Sequence, residues 1–199
     1  MNFLAHLHLS GPNEQIKVGN FMGDFVKGRN LRDRYAPTVA LGIELHREID
    51  VFTDGHREVK ESKNRLRPKY RHYAGVIVDM FYDHFLAAHW TTYSKQPLHL
   101  FVQESYSTIQ SFEHILPDQL QYMLRYMVRD NWLLQYANFQ GIDRALTGMA
   151  QRTPFVSKME QAVGDLQLHY QEYQAEFTRF YPDVMHFSAT WLQSKLDKN

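Results

Sequence analysis

Cysteine is absent from the 199 residues. Disulfide frameworks, zinc-thiolate sites, iron-sulfur clusters and cysteine nucleophiles are therefore excluded, and any metal must be held by nitrogen and oxygen. An excess of either charge is absent too: 22 Lys and Arg balance 22 Asp and Glu. That balance argues against a generally basic nucleic-acid binder and against an acidic solvating chain. No run approaches the roughly 18 to 20 apolar residues of a membrane span. The opening MNFLAHLHLS lacks a basic leader and carries two histidines, so the expectation is a cytoplasmic protein with neither membrane nor nucleic acid as partner. Also missing are a Walker loop, G-x-G-x-x-G, G-x-S-x-G, H-E-x-x-H and E-x-x-H, which sets aside P-loop, dinucleotide, serine-hydrolase, zincin and ferritin-like di-iron chemistry.

What is present is apolar material at helical spacing. Hydrophobic residues make up 44% and aromatics 14%, enough for a core in one domain spanning 1–199. Leu41, Leu45, Ile49 and Phe52 recur at four, four and three residues behind Pro37, which is placed like a first-turn proline. The spacing predicts a helix over 39–54. A run over 76–90 is apolar on nearly every side and too long for an ordinary strand, so it reads as a buried central helix. Further helices are expected over 15–27, 56–66, 98–115, 118–129, 141–151, 155–181 and 183–196, with prolines such as Pro182 as punctuation. Strand alternation is missing. The fold class is all-α, a single-domain helical bundle.

Three helical stretches each carry a polar pair at i, i+4, the spacing that places two side chains on one face: Asn20 with Asp24, His46 with Asp50, Asp79 with Asp83. Asp79 and Asp83 interrupt an apolar run, where two carboxylates repel and lose solvation unless a cation lies between them. With His84, His46, Asp50 and Asp24 they form a nitrogen and oxygen set suited to Mn, Mg, Fe or Zn. His6 and His8 face different directions on a helix, so one of the two is expected to reach a site. Such a set fits metal-assisted hydrolysis of a phosphate ester. Charge is unevenly spread as well. The stretch from Arg57 to Arg71 holds Arg57, Lys60, Lys63, Arg65, Arg67, Lys69 and Arg71 against Glu58 and Glu61; it reads either as a solvated helix face or as a dock for an acidic partner.

MNFLAHLHLS at 1–10, GNFMGDFVKG at 19–28, GIELHREIDVFTD at 42–54 and VDMFYDHFLAAHW at 78–90 together resemble the acyl carrier protein phosphodiesterase family. LTGMAQR at 146–152 and FTRFYP at 177–182 extend the likeness over nearly the whole chain. The resemblance implies an all-helical fold distantly related to the HD-type phosphohydrolases. It also implies a manganese-dependent hydrolase, with Mg as the alternative ion, that cuts 4'-phosphopantetheine from the serine of holo acyl carrier protein, a step bearing on fatty acid biosynthesis. The family's histidine and aspartate positions correspond here to His6, Asp24, His46, Asp50, Asp79, Asp83 and His84, although the adjacent pair reads Asp83-His84 rather than His-Asp.

On that footing Asp24, His46, Asp79 and Asp83 are expected to hold metal, and His6 or His84 to act as general acid. Asn20 would orient water or phosphate, Asp50 would fix the His46 ring, and Arg47 would pair with a phosphate oxygen. The Arg57 to Arg71 stretch would meet the carrier protein, which is small, acidic and helical. Two other functions fit the same residues: an HD-type hydrolase of a nucleotide or other small phosphate ester, and a helical module that binds carrier protein without cutting it. The aromatics and the 155–181 helix could also form the face of a homo-oligomer.

Overall fold

The computed structural model describes residues 1–197. Twelve α-helices follow in chain order: α1 Phe3–His8, α2 Glu14–Phe21, α3 Pro37–Gly55, α4 Arg57–Tyr70, α5 Ala74–Ala88, α6 Trp90–Tyr93, α7 Leu98–Ser111, α8 Asp118–Arg129, α9 Trp132–Gln135, α10 Phe139–Arg152, α11 Ala162–Leu168 and α12 Tyr170–Leu196. Among the described residues there is no strand, and no helix is long and apolar enough to cross a membrane. The all-α expectation therefore holds.

Pro37 opens α3 at its first turn, where its missing N–H and fixed φ cost nothing. Leu41, Leu45 and Ile49 are buried along one face, as their spacing predicts. α5 is the central helix: Ile77, Val78, Met80, Phe81, Tyr82, Phe85 and Leu86 are buried on several sides, with α1, α4, α10 and α12 around it. α2 and α3 pack most closely, through two glycines. A Cβ on Gly19 would sit 2.1 Å from the Val39 carbonyl oxygen, and one on Gly42 would sit 2.3 Å from that of Ile16. Only glycine lets the two backbones meet there.

Three helix expectations are corrected. The 15–27 stretch leaves α-helix after Phe21 and tightens into a 3₁₀ turn at Gly23–Phe25, where glycine leaves room for the His46 ring that a side chain at position 23 would strike. The 155–181 stretch is not one helix. Lys158 takes a left-handed backbone with φ 59°, a 3₁₀ turn covers Met159–Gln161, and the chain breaks again at His169 between α11 and α12. Pro182, read as a stop, instead lies inside the continuous α12. Proline removes one helical hydrogen bond and crowds the preceding turn, but Phe177, Phe180, Tyr181 and Val184 are fully buried around it. Burial of that apolar face outweighs the local loss.

Candidate metal centre

α1, α2 and α3 converge on two histidines. The His6 and His46 rings stack with centroids 3.9 Å apart and planes 15° from parallel, both nearly inaccessible to solvent. Asn20, fully buried on α2, orients both. Its side-chain oxygen lies 2.8 Å from His6 Nδ1, while its amide nitrogen donates to the His6 carbonyl and to Ser10 Oγ. Its backbone carbonyl lies 2.7 Å from His46 Nδ1. Both Nδ1 atoms face oxygen acceptors, so each carries the proton and each neutral ring presents a bare Nε2 on its other edge.

Those Nε2 atoms face carboxylates. Asp50, one turn after His46 on α3, places Oδ1 3.3 Å from His6 Nε2 and Oδ2 3.2 Å from His46 Nε2. Asp24, on the 3₁₀ turn after α2, lies 3.1 Å from His46 Nε2. His6 Nε2 is near Asp50 but out of line for a hydrogen bond, and is a buried nitrogen without a partner. A bare imidazole nitrogen and a carboxylate oxygen are both acceptors and repel; a proton or a cation between them removes the conflict. Without a cation the proton goes to one ring. Burial presses His46 down, yet Asp24 and Asp50 lift it to about 9, whereas burial and the neighbouring His46 charge hold His6 below its usual value. Asp50 is pulled well below the ordinary carboxylate range by the two rings against the opposing effect of burial. His46 also holds Asp24 down.

His6, His46 and Asp50 bring one ligand atom each within 4.8 Å of one another, a group that could hold a metal ion. The donor set is two imidazoles and a carboxylate, with Asp24 beside it, which suits a first-row divalent ion or magnesium.

Asp79 and Asp83 on α5 lie next to this group with other partners. Asp83 is fully buried and accepts backbone N–H bonds from Asn2, Leu4 and Ala5 at 3.2, 2.8 and 3.3 Å. Burial pushes its carboxyl up to about 7, against the pull of the Met1 amine and those three donors. It closes the open N–H end of α1, the helix that carries His6. Asp79 lies 2.9 Å from the Met1 amine; burial lowers that amine, but Asp79 and Asp50 more than restore it. His84 is not brought to the cluster: its ring nitrogens meet the Tyr136 carbonyl and the Tyr170 hydroxyl at 2.9 and 3.1 Å. Arg47 donates to the Val26 carbonyl at 2.9 Å and so pins the chain just after Asp24.

Much of the basic stretch on α4 is engaged within the chain. Lys63 pairs with Asp54, and Lys69 with Asp165. Arg65 grips the buried Glu176 with two hydrogen bonds, and Ser62 donates to the same carboxylate. Arg67 donates to Asn64. Arg57, Lys60 and Arg71 make no ion pair or side-chain hydrogen bond among the described residues.

Asp24, Asp50 and Asp79 form one end of a cavity of about 790 Å³. Phe3, Phe25, Tyr122, Met123, Tyr126, Trp132 and Met149 line the same cavity, as does Arg152. The cavity thus combines carboxylates, backed by the two histidines, with apolar and aromatic side chains, a lining that suits a ligand with a charged group and an apolar body. Several of these features escape sequence reading. The Met1 amine and the α8 and α9 wall have no motif, and Gly23, although it lies in the GNFMGDFVKG stretch, shows its role only in the fold, where a Cβ would lie 2.2 Å from His46 Cγ.

A family model for acyl carrier protein phosphodiesterase matches residues 1–184. The chain is 37% identical over 189 residues to the acyl carrier protein phosphodiesterase of Photorhabdus laumondii, covering 93% of each protein. Its identity to the proteins of that name from Klebsiella pneumoniae and Escherichia coli is 38% and 36%, each over 186 residues that cover 93% of this chain and 96% of the other. No solved structure matches the chain.

Proposed function

The chain belongs to the acyl carrier protein phosphodiesterase family of enzymes, and from that membership we propose a specific reaction: hydrolysis of the phosphodiester between 4'-phosphopantetheine and the serine of holo acyl carrier protein. The products are apo carrier protein and free 4'-phosphopantetheine, and the setting is the cytoplasm. The observation that carries this reading is the pair of Nδ1-tethered imidazoles facing Asp50, a carboxylate that also lines a largely apolar cavity.

His6, His46 and Asp50, joined by Asp24, would hold a divalent ion, manganese in this proposal. Such an ion supplies Lewis acidity toward a phosphate ester and makes water a better nucleophile. The chain's own residues then have separate tasks. Asn20 fixes both rings from behind, so that each Nε2 meets its ligand already aimed. Asp50 faces both rings and keeps their separation constant. Asp83 holds α1 in place and with it His6. The apolar wall from Phe3 and Phe25 to Trp132 takes the uncharged pantetheine arm and excludes water along it. In this proposal the phosphate lies at Asp24 and Asp50, the cavity carboxylates that the two rings back.

The test is the mass of holo carrier protein incubated with enzyme and Mn. Wild type should remove the phosphopantetheine mass, and His46→Gln and Asp50→Ala should each lose at least about a hundredfold in rate while keeping helical content, as loss of a metal ligand or its orienting partner does. Unchanged rates in both variants would refute the assignment. Release of phosphate from small esters with no change in the carrier protein would replace the proposed substrate with a small phosphate ester.

A further inference from the structure

The geometry points to the loop that follows Asp24, with Lys27, Arg29 and Arg32 exposed on it, as the surface on which the acidic carrier protein docks; this rests on the reaction proposed above. In that reaction the phosphate joins the arm to the carrier-protein serine and lies at Asp24 and Asp50. The serine is only a few bonds from phosphorus, so the body of the carrier protein must rest on the surface around those two carboxylates. Asp24 marks where they meet solvent: its side chain is 67% exposed, against 39% for Asp50 and 28% for Asp79.

From Asp24 the chain passes through Phe25, which lines the cavity, and Val26, which is buried and has its carbonyl held by Arg47 at 2.9 Å. Lys27 follows, and even a fully extended chain would put its Cα at most about 11 Å from that of Asp24. Gly28 then turns the backbone with φ 94°, a conformation that a side chain would resist. The loop is held in shape from within. Leu31 is buried; its N–H donates to the Arg29 carbonyl and its own carbonyl accepts from the Tyr35 N–H, both at 2.9 Å. Arg34 donates to the Lys27 carbonyl at 2.9 Å and ties the two ends of the loop together.

The occupant follows from the charge. Between Phe25 and Pro37 the one acidic residue is Asp33, against Lys27, Arg29, Arg32 and Arg34. The side chains of Lys27, Arg29 and Arg32 are exposed and make no ion pair or hydrogen bond among the described residues. Unspent positive charge on a fixed backbone beside the phosphate suits an acidic helix, and rim charge of this kind speeds encounter and fixes orientation. The basic stretch on α4 offers less. Lys63, Arg65 and Lys69 are already held by Asp54, Glu176 and Asp165, and Glu58 and Glu61 interleave with Arg57 and Lys60.

Binding of fluorescently labelled apo carrier protein to manganese-loaded enzyme, read by anisotropy at low and high salt, tests the inference, because apo protein has no arm and reports on the body alone. Lys27→Glu with Arg29→Glu and Arg32→Glu should weaken binding at least about tenfold at low salt, with the difference shrinking at high salt as screening takes hold. Gln at the same three positions should give a smaller loss with the same salt dependence. Lys60→Glu with Arg71→Glu on α4 should change binding less than about twofold. A greater loss from the α4 pair, wild-type binding by the loop variants with helical content intact, or no binding by wild type would each overturn the inference. Turnover of holo carrier protein measured alongside separates the two claims. If the binding pattern holds while wild type releases no phosphopantetheine, the reaction falls and the docking surface stands; if wild type releases it while the loop variants bind normally, the docking surface falls and the reaction stands.

Discussion

Asp83→Ala separates the scaffold of the centre from its ligands. The carboxylate receives three backbone N–H groups at the start of α1, of which those of Leu4 and Ala5 are fully buried. Removing it leaves two buried donors without an acceptor, at about 1 to 3 kcal/mol each, and takes away a capping interaction. A loss of about 3 to 5 kcal/mol follows, the range found when one partner of a buried charged contact is deleted. At roughly 2 to 4 °C per kcal/mol for a chain of this size, the melting temperature should drop by about 6 to 20 °C. The assay is thermal and urea denaturation of metal-free protein followed by circular dichroism, with manganese binding measured by titration calorimetry below the transition. Asp50→Ala is the comparison: it should weaken manganese binding, and its cost in metal-free stability should fade as pH rises through 9 and the His46 charge it supports is lost, whereas the Asp83→Ala loss should persist. A stability loss under 1 kcal/mol for Asp83→Ala, together with the same loss of manganese affinity as Asp50→Ala, would refute the reasoning and make Asp83 a direct ligand.

Three further outcomes are expected. Asn20→Ala, which touches no ion, should lower manganese affinity about 10- to 100-fold because both rings lose their tether; calorimetry showing wild-type affinity would remove Asn20 from the centre. Gly23→Ala should displace the His46 ring, since its Cβ would fall 2.2 Å from His46 Cγ, and weaken binding while far-ultraviolet dichroism stays near wild type; full binding would show that the turn gives way instead. Metal-free stability should also depend on pH. Burial opposes a charged His46, but Asp24 and Asp50 raise it to about 9 in the fold, above the roughly 6.5 of an unfolded histidine. Its contribution, about 3 kcal/mol, is full below pH 6.5 and lost as pH rises through 9. The Met1 amine, also raised, adds a fall in the same direction above pH 8. The melting temperature should therefore decline from pH 6.5 to 9, less so in His46→Gln and in saturating manganese; identical slopes in all three would contradict the assignment.

Helices with a clean apolar period were legible in the chain. Leu41, Leu45 and Ile49 behind Pro37 mark α3, and the apolar run through Phe81 and Phe85 marks α5. Pro182 misleads because its cost is local while the burial that overrides it comes from Phe177, Phe180 and Tyr181 packing against distant helices. The His46 and Asp50 pair shows in the i, i+4 spacing, and the structure sets it against His6. Asp79 and Asp83 demand compensation in any sequence reading. In the fold it comes from the Met1 amine and from backbone N–H groups, which a reading of side chains alone does not register. The partners of α4 are equally remote in sequence: Glu176 and Asp165 meet Arg65 and Lys69 only after α11 and α12 fold back. The aromatic wall on α8 and α9 has no motif, because a cavity is made by what several helices leave unfilled.

The most direct measurement is the mass of holo carrier protein after incubation with enzyme stripped of metal by a chelator, and again after manganese is restored. The account predicts no change in the carrier protein with stripped enzyme, and loss of the phosphopantetheine mass once the ion returns. Equal release in both samples, or release in neither with the protein folded and the ion bound, would contradict it.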